Sequence, residues 1–230
     1  ARGLDLLRQS GLLEHVLPEL AATVDCDQSP DFHPEGSVFS HIRLMLSLMP
    51  KDASHRLPWT ILLHDIAKPQ IRSVGEGGRI HFYGHEKKGA KIAEDILRRL
   101  RFSRVDIEAV VQTVYHHMQF KDAKKMRKAT LRKMLLRPNF DLELEQHRLD
   151  CLGSHGKLDV YDFLCEQRSL LEEKPMLLVP LVNGKDLMEL GIEPSPFMGK
   201  LLEEIKDMQL SEGFSNREEA LAWVKEKTAL

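Results

Sequence analysis

Apolar residues recur every three to four positions along this chain, which is the spacing of helices with one buried face. The predicted helices cover residues 1–24 in two or three short pieces, 38–49, 58–67, 85–100, 105–118 and 138–154. Further helices are predicted to residue 230, with the first break at Pro175, and Ser103 is predicted to cap the helix that begins at residue 105. Two polar segments, Asp25–Gly36 and Arg72–Gly84, interrupt the pattern, and the sequence GEGG in the second predicts a turn with a short hairpin. We therefore predict an all-α fold, a helical core with helical additions at both ends.

One stretch, Leu57–Lys68 (LPWTILLHDIAK), places two ionisable residues directly after an apolar run. The helix predicted for residues 58–67 is closed by Pro69 and carries His64 and Asp65 into the interior. Buried charges are costly unless they are paired or bound to a metal. Imidazole and carboxylate groups are common ligands of divalent cations, so the stretch predicts a metal site if further ligands converge on it.

Further candidate ligands share one property, because each is an ionisable residue on or beside the inward face of a different predicted helix. They are His41, His64 with Asp65, His85, His116 with His117, and Asp150. Ligands that project from facing helices toward one point form the metal sites of helical bundles. Taken singly, a histidine on an apolar face is more often a hydrogen-bonded core residue, and a lone carboxylate is more often solvated. The occurrence of such residues on five predicted helices favours the metal site.

The remaining histidines are assigned other roles. His81 is predicted to be a surface residue or a substrate contact. The others are expected to be structural or exposed: His15, His33, His55, His147 and His155.

Composition narrows the class of protein. With 230 residues, of which 42% are hydrophobic, the chain can bury a core as one domain or as a domain with an appendage. Three cysteines without a pairing pattern favour a reducing, cytoplasmic environment. No apolar run approaches the roughly 18 residues that a membrane span needs, so no membrane partner is expected. Ala1 in place of methionine predicts a fragment or a processed piece of a longer protein.

The order His, His-Asp, Lys, His, His-His, Asp resembles the HD superfamily of metal-dependent phosphohydrolases. The resemblance implies a first metal site formed by His41, His64, Asp65 and Asp150, and a second formed by His85, His116 and His117, with Asp65 bridging them. It also implies that Asp65 and Lys68 are catalytic, with Lys68 near the substrate phosphate. Members with a third ion carry a carboxylate where this chain has Ser37, so one or two ions are expected. Mn, Fe, Ni, Co, Zn and Mg all remain open.

Longer segments resemble a narrower family, the C-terminal portion of bacterial tRNA nucleotidyltransferase/poly(A) polymerase proteins. They are GLLEHVLPEL, FHPEGSVFSHI, LLHDIAKP, RIHFYGHEKKGAKIAEDILRRLRFS, HHMQFKDAKKMRKATLRKML, HRLDCLGSHG, NGKDLMELGI and REEALAWV. The resemblance covers nearly all of the chain. We predict an N-terminal helical extension (1–35), an HD domain core (36–160) and a C-terminal helical tail (161–230).

The nucleotidyltransferase head of that family is not expected in this chain. The head needs a pair of aspartates on a strand, whereas Asp25 and Asp27 lie in a predicted loop with no preceding strand. The chain alone is therefore expected not to add nucleotides. Either it is a piece of a protein whose N-terminal nucleotidyltransferase domain is its covalent partner, or its protein never had that domain.

A basic segment, Lys121–Arg137, holds eight basic residues against one acid, Asp122. A charge run is usually a solvated surface, and that interpretation stays open. The alternative is a track for the phosphate backbone of tRNA or another RNA. Its candidate contacts are Lys121, Lys124, Lys125, Arg127, Lys128, Arg132 and Lys133. Such binding falls steeply with salt and carries little sequence specificity.

Two functions remain as hypotheses. The first is a phosphodiesterase or phosphatase acting on nucleotides or RNA ends, because two metal ions can clamp a phosphoryl group and activate water. The resemblance implies 2′,3′-cyclic phosphates and 2′-phosphates as substrates of some family members. The second is a tRNA-binding helical scaffold whose HD site is not catalytic.

Overall fold

Helices form nearly all of the regular structure in the computed structural model, which describes residues 1–29, 34–174 and 179–228. In chain order they are α1 (Arg2–Gln9), α2 (Leu13–Val16), α3 (Pro18–Ala21), α4 (Val38–Leu48), α5 (Leu57–Leu63), α6 (Lys68–Ile71), α7 (His85–Arg99), α8 (Arg104–His116), α9 (Lys128–Leu135), α10 (Phe140–Gly153), α11 (Asp159–Glu172), α12 (Gly184–Glu189), α13 (Pro196–Leu210) and α14 (Arg217–Thr228). Two 3₁₀ helices span Glu76–Gly78 and His117–Lys125. The prediction of an all-α fold is confirmed.

The only sheet in the described residues is a hairpin of β1 (Ser73–Val74) and β2 (Ile80–His81). The strands are antiparallel, with Ser73 opposite His81 and Val74 opposite Ile80. The hairpin predicted from the glycine-rich turn is therefore present. Two other predicted features, His33 in the first loop and the break at Pro175, lie outside the described residues.

The chain folds into two compact units. The first comprises Ala1–Asp122 and Pro138–Asp162, and the second comprises Ala123–Arg137 and Phe163–Leu230. Fully buried residues of the first core include Leu13, Leu20, Ile42, Met45, Ile61, Leu63, Ile96 and Val114. The core of the second unit includes Leu187, Leu201, Ile205, Ala220 and Val224. The division into segments 1–35, 36–160 and 161–230 remains a proposal.

The helix predicted for residues 58–67 is shorter than expected. Helix α5 ends at Leu63, and a tighter turn follows in which the amides of Ile66 and Lys68 donate to carbonyls three residues earlier. Pro69 does not close a helix, because it lies in the first turn of α6, where its missing N–H is tolerated. The prediction was wrong because apolar spacing alone does not distinguish this tight turn from a continued helix.

Helices α7 and α8 form an antiparallel pair joined by the short connection 100–103. Ser103 caps α8 by accepting a hydrogen bond from the Asp106 amide, as predicted. The antiparallel arrangement brings the first residue of α7, His85, beside His117, which follows the last residue of α8. Gly89 of α7 faces the turn after α5, where an added Cβ would lie in ordinary contact, 3.5 Å, with the carbonyl oxygen of His64.

Among the helices of the described residues, none combines the length and the apolar content needed to cross a lipid bilayer.

Replacement of Ile96 by alanine is expected to lower the free energy of unfolding by about 2–5 kcal/mol, because its fully buried side chain would leave a cavity under α7. The matched control is Val105→Ala on α8, whose side chain is 63% exposed. Its expected effect is below about 1 kcal/mol. Urea denaturation of the metal-free proteins measures both values, and equal destabilisation by the two variants would contradict the described core.

Candidate metal centre

The first group of candidate ligands consists of His41, His64 and Asp150, whose ligand atoms all lie within 4.8 Å of one another. His41 lies in the first turn of α4 and is fully buried, and Asp150 lies in the last turn of α10. Their atoms Nε2 and Oδ1 are 3.0 Å apart. The sequence-predicted members of the first site, apart from Asp65, are therefore brought together.

A second carboxylate holds the other nitrogen of the His41 ring. Oε1 of Glu35 lies 2.6 Å from Nδ1 of His41. Burial by itself would lower the pKa of His41, but hydrogen bonds to Asp150 and Glu35 outweigh burial and raise it to about 10. Without a metal the imidazole is therefore protonated on both nitrogens, with one carboxylate beside each. An ion on the Asp150 side would replace the proton on that side, while Glu35 would keep the ring oriented.

The second group consists of Asp65, His85 and His117, again with ligand atoms within 4.8 Å of one another. All three residues are buried. The Nε2 atoms of the two histidines are 3.0 Å apart, and Oδ1 of Asp65 lies 3.4 Å from Nε2 of His85. Two nitrogens bound to one ion at about 2.1 Å and at right angles would be about 3.0 Å apart. The spacing of the two rings therefore fits a shared cation.

The orientation of three rings is fixed by one repeated backbone contact. Nδ1 of His64, His85 and His117 lies 2.9, 2.8 and 2.6 Å from the carbonyl oxygen three residues earlier in the chain. A carbonyl oxygen only accepts hydrogen bonds, so each Nδ1 carries the proton. In the neutral ring Nε2 then presents a lone pair, which is the form in which imidazole binds a metal.

This arrangement would be unfavourable without a cation. With both Nδ1 atoms protonated, the lone pairs of His85 and His117 point at each other. Burial and nearby charges lower the pKa of His117 to about 3, and burial together with Lys68 also lowers the pKa of His85, so a shared proton is disfavoured. In addition, the buried Nε2 of His64 has no hydrogen-bond partner among the described residues. Both observations fit divalent-metal binding.

Asp65 connects the two groups. Its Oδ2 lies 3.2 Å from Nε2 of His64, while its Oδ1 faces His85 and His117. Burial would raise the pKa of this carboxyl, but its neighbours His64 and Lys68 hold it well below the usual range. Asp65 is thus an ionised carboxylate with one oxygen directed to each group, as expected of a bridging ligand.

Lys68 is buried next to that carboxylate. Its Nζ donates to Oδ2 of Asp65 at 2.7 Å and to Oε1 of Gln28 at 2.6 Å. An ammonium group has three donors, so one remains for a further acceptor. A cavity of about 630 Å³ is lined by Lys68 together with His64, Asp65, His85, His117 and Asp150. The lysine therefore borders the same space as both ligand groups.

His116 is not brought to either group. Its Nδ1 lies 3.2 Å from Oε1 of Glu143, a buried residue of α10. Its neighbour His117 faces the other way because the two residues follow each other at the end of α8. The role of His116 as a ligand stays a prediction that this geometry does not support.

Several residues of the site were not predicted from the sequence. Glu35 and Gln28 lie in the polar segment before α4, and no periodicity marks a loop residue as a partner of a buried side chain. The cavity wall also contains His147 and His155, which were expected to be structural or exposed. His81 lines the cavity as well, which is where a substrate contact would lie.

The candidate RNA contacts fall into two sets. The cations of α9 are paired with acids of their own unit: Lys128 and Arg132 with Glu212, and Lys133 with Glu203 and Asp207. Lys174 binds Glu212 as well. In contrast, Lys121, Lys125 and Arg127 are exposed and form no ion pair with the described residues. Lys124 is also exposed and has a partner of its own.

Comparison with known proteins agrees with this geometry. The family model of the HD domain matches residues 38–145. This match covers just under half of the chain. The family model of tRNA nucleotidyltransferase domain 2 matches residues 177–224, beyond the HD match.

Two curated relatives match nearly the whole of this chain, and a third matches about two thirds of it. An A-adding tRNA nucleotidyltransferase of Deinococcus radiodurans is 30% identical over 98% of this chain and 54% of the relative. A CC-adding tRNA nucleotidyltransferase of Thermus thermophilus is 31% identical over 97% of this chain and 52% of the relative. A multifunctional CCA protein of an Azoarcus species is 31% identical over 68% of this chain and 39% of the relative. The chain spans about half the length of the first two relatives.

Removal of a ligand from one group is expected to lower the metal content of the purified protein. After loading with Mn²⁺ and removal of free ion, we expect two equivalents per chain in the parent and one in His117→Ala, because the second group loses a nitrogen donor. The matched control is His15→Ala, an exposed histidine far from these ligands in the chain, which should retain two equivalents. Elemental analysis provides the measurement, and a parent protein without metal would contradict the site.

Proposed function

We propose that this chain is a metal-dependent phosphohydrolase acting on phosphate esters of nucleotides or RNA ends. The main support for the proposal is the pair of candidate metal-ligand groups. Asp65 lies between the two groups, and Lys68 lines the same cavity. Two adjacent cation sites beside a free ammonium donor suit a tetrahedral phosphoryl group better than they suit a neutral substrate.

The ligand assignment follows the two groups. His41, His64 and Asp150 would hold one ion, and His85 and His117 would hold the second, with Asp65 between them. When bound, such ions supply Lewis-acid stabilisation of the phosphoryl oxygens and an activated water. The donor set does not select among Mn, Fe, Ni, Co, Zn and Mg.

The protein's own residues would orient the reaction. Glu35 holds His41, and backbone carbonyls hold His64, His85 and His117, so the site is organised before a substrate enters. Lys68 is held in place by Asp65 and Gln28, and its third donor would meet a non-bridging phosphoryl oxygen. Donation at that point stabilises the negative charge that grows in the transition state.

A second function, docking of tRNA or another RNA, is supported by separate observations. The relatives are tRNA nucleotidyltransferases by name, and a nucleotidyltransferase domain model matches residues 177–224. The exposed cations Lys121, Lys125 and Arg127 are available for phosphate contacts. Under this proposal the full-length cytoplasmic protein would join the chain to an N-terminal nucleotidyltransferase domain, and the HD domain would serve either as a scaffold or as an additional active site.

Lys68→Met is expected to reduce kcat/KM for bis-p-nitrophenyl phosphate and 2′,3′-cyclic AMP by about 10² to 10³, the size of losing one preorganised donor. Metal content should not change, because Lys68 is not a ligand. The comparison variant Lys91→Met removes an exposed lysine of α7 and should keep parental rates. Absence of turnover in the fully metallated parent with any of the candidate metals would refute the hydrolase proposal.

Neutralisation of Lys121, Lys125 and Arg127 by glutamine is expected to weaken tRNA binding and to reduce the slope of log K against log salt by about one for each lost phosphate contact. Glutamine at Arg132 and Lys133 should have a smaller effect, because those cations are already paired with acids. Filter binding at several salt concentrations measures both triple and double variants. The same loss in the two would argue against this assignment of contacts.

A further inference from the structure

Two aromatic rings stand at the cavity wall and have no part in the candidate metal centre. The rings of His81 and Tyr83 are stacked, with centroids 5.1 Å apart and planes 11° from parallel. Both residues line the cavity that contains Lys68, His85 and His117. Tyr83 is 79% exposed, the highest value for a large hydrophobic side chain in the described part of the chain. One face of the Tyr83 ring therefore packs against His81, and the other face is exposed to solvent.

The two rings come from the end of the hairpin and the turn that follows it. His81 is the last residue of β2, and Tyr83 lies in the turn that leads into α7. The Phe82 ring lies 5.3 Å from Nζ of Lys68. The turn supports the His81 ring closely, because a Cβ added at Gly75 would lie only 3.0 Å from its Nε2. The residue between the two stacked rings, Phe82, thus contacts Lys68 through its side chain.

The chain also limits the distance between Tyr83 and the candidate ligand His85. Gly84 has a φ of +77°, which turns the backbone directly into α7, and the first residue of that helix is His85. Two Cα–Cα steps separate Tyr83 from His85, so their Cα atoms are at most about 7.6 Å apart. A group stacked on Tyr83 would consequently lie beside the candidate metal centre.

We propose that His81 and Tyr83 form a stacking platform for the nucleobase of a substrate whose phosphate lies at the metal centre. The substrate class is then a phosphate ester that carries a planar base, either a free nucleotide or the terminal nucleotide of an RNA, in preference to a sugar phosphate. The position of the phosphate rests on the proposed function above. Stacking of one base on an aromatic side chain typically contributes about 5- to 150-fold in affinity.

The test compares binding of AMP and ribose 5-phosphate to the Mn²⁺-loaded protein by isothermal titration calorimetry. The two ligands share the sugar phosphate and differ in the base. We expect AMP to bind the parent at least about tenfold more tightly. Tyr83→Ala should remove that preference and leave ribose 5-phosphate binding unchanged, whereas Tyr83→Phe should retain it. The matched control, Phe197→Ala, removes an exposed aromatic side chain of α13 and should leave both affinities unchanged.

A further titration compares AMP with a short 5′-phosphorylated RNA. The ligand that binds more tightly shows whether the base comes from a free nucleotide or from the end of an RNA. Three outcomes would overturn the platform. The parent could bind AMP and ribose 5-phosphate equally or bind neither, or Tyr83→Ala could lose affinity for both ligands to the same extent. Hydrolysis is measured separately on the same proteins. A base preference that depends on Tyr83 without any turnover would support the platform while contradicting the hydrolase proposal, and turnover without a base preference would do the reverse.

Discussion

The first unit depends on how it accommodates a buried carboxylate, Asp65, in the turn after α5. An apolar interior does not tolerate an uncompensated charge, and the immediate neighbours of Asp65 are Lys68, His64, His85 and His117. Lys68 is the only lysine or arginine among them. The pKa values of His85 and His117 are lowered by burial, so these rings resist becoming cations. Divalent cations bound by the candidate metal centre would supply further compensation, so the same residues pose a structural problem and form a candidate site.

The helix ends explain how neutral imidazoles are held with their lone pairs inward. The last carbonyls of a helix have no amide partner within it. His64 follows α5 and His117 follows α8, and each donates to one of these carbonyls, while His85 at the start of α7 donates to the preceding loop. In a helix interior the same carbonyls would be engaged by amides. The ligands that follow α5 and α8 are thus oriented by carbonyls of the preceding helix.

Some basic side chains on the surface are paired with acids of the same chain, and others form no ion pair with the described residues. Glu212 alone is contacted by Lys128, Arg132 and Lys174, and these contacts hold its pKa well below the usual range despite its exposure. Exposed pairs of this kind contribute little stability individually, but they reduce the positive potential that an approaching phosphate backbone would meet. The basic residues that remain outside such pairs lie earlier in the segment. The proposed phosphate chemistry in the cavity and the proposed phosphate contacts at the surface therefore do not exclude each other.

The sequence by itself determined the helical class, the caps such as Ser103, the hairpin and the residue types that gather at the cavity. These features depend on apolar spacing and turn chemistry between near neighbours, which a sequence displays directly. The tertiary structure decided the end of α5 at Leu63, the contact of Glu35 with His41, the side on which His116 lies, and the pairing of Arg132 with Glu212. Each of these depends on the path of a loop, on a side-chain rotamer or on a partner as many as 80 residues away. No local pattern encodes such distances, because they are set only when the helices pack.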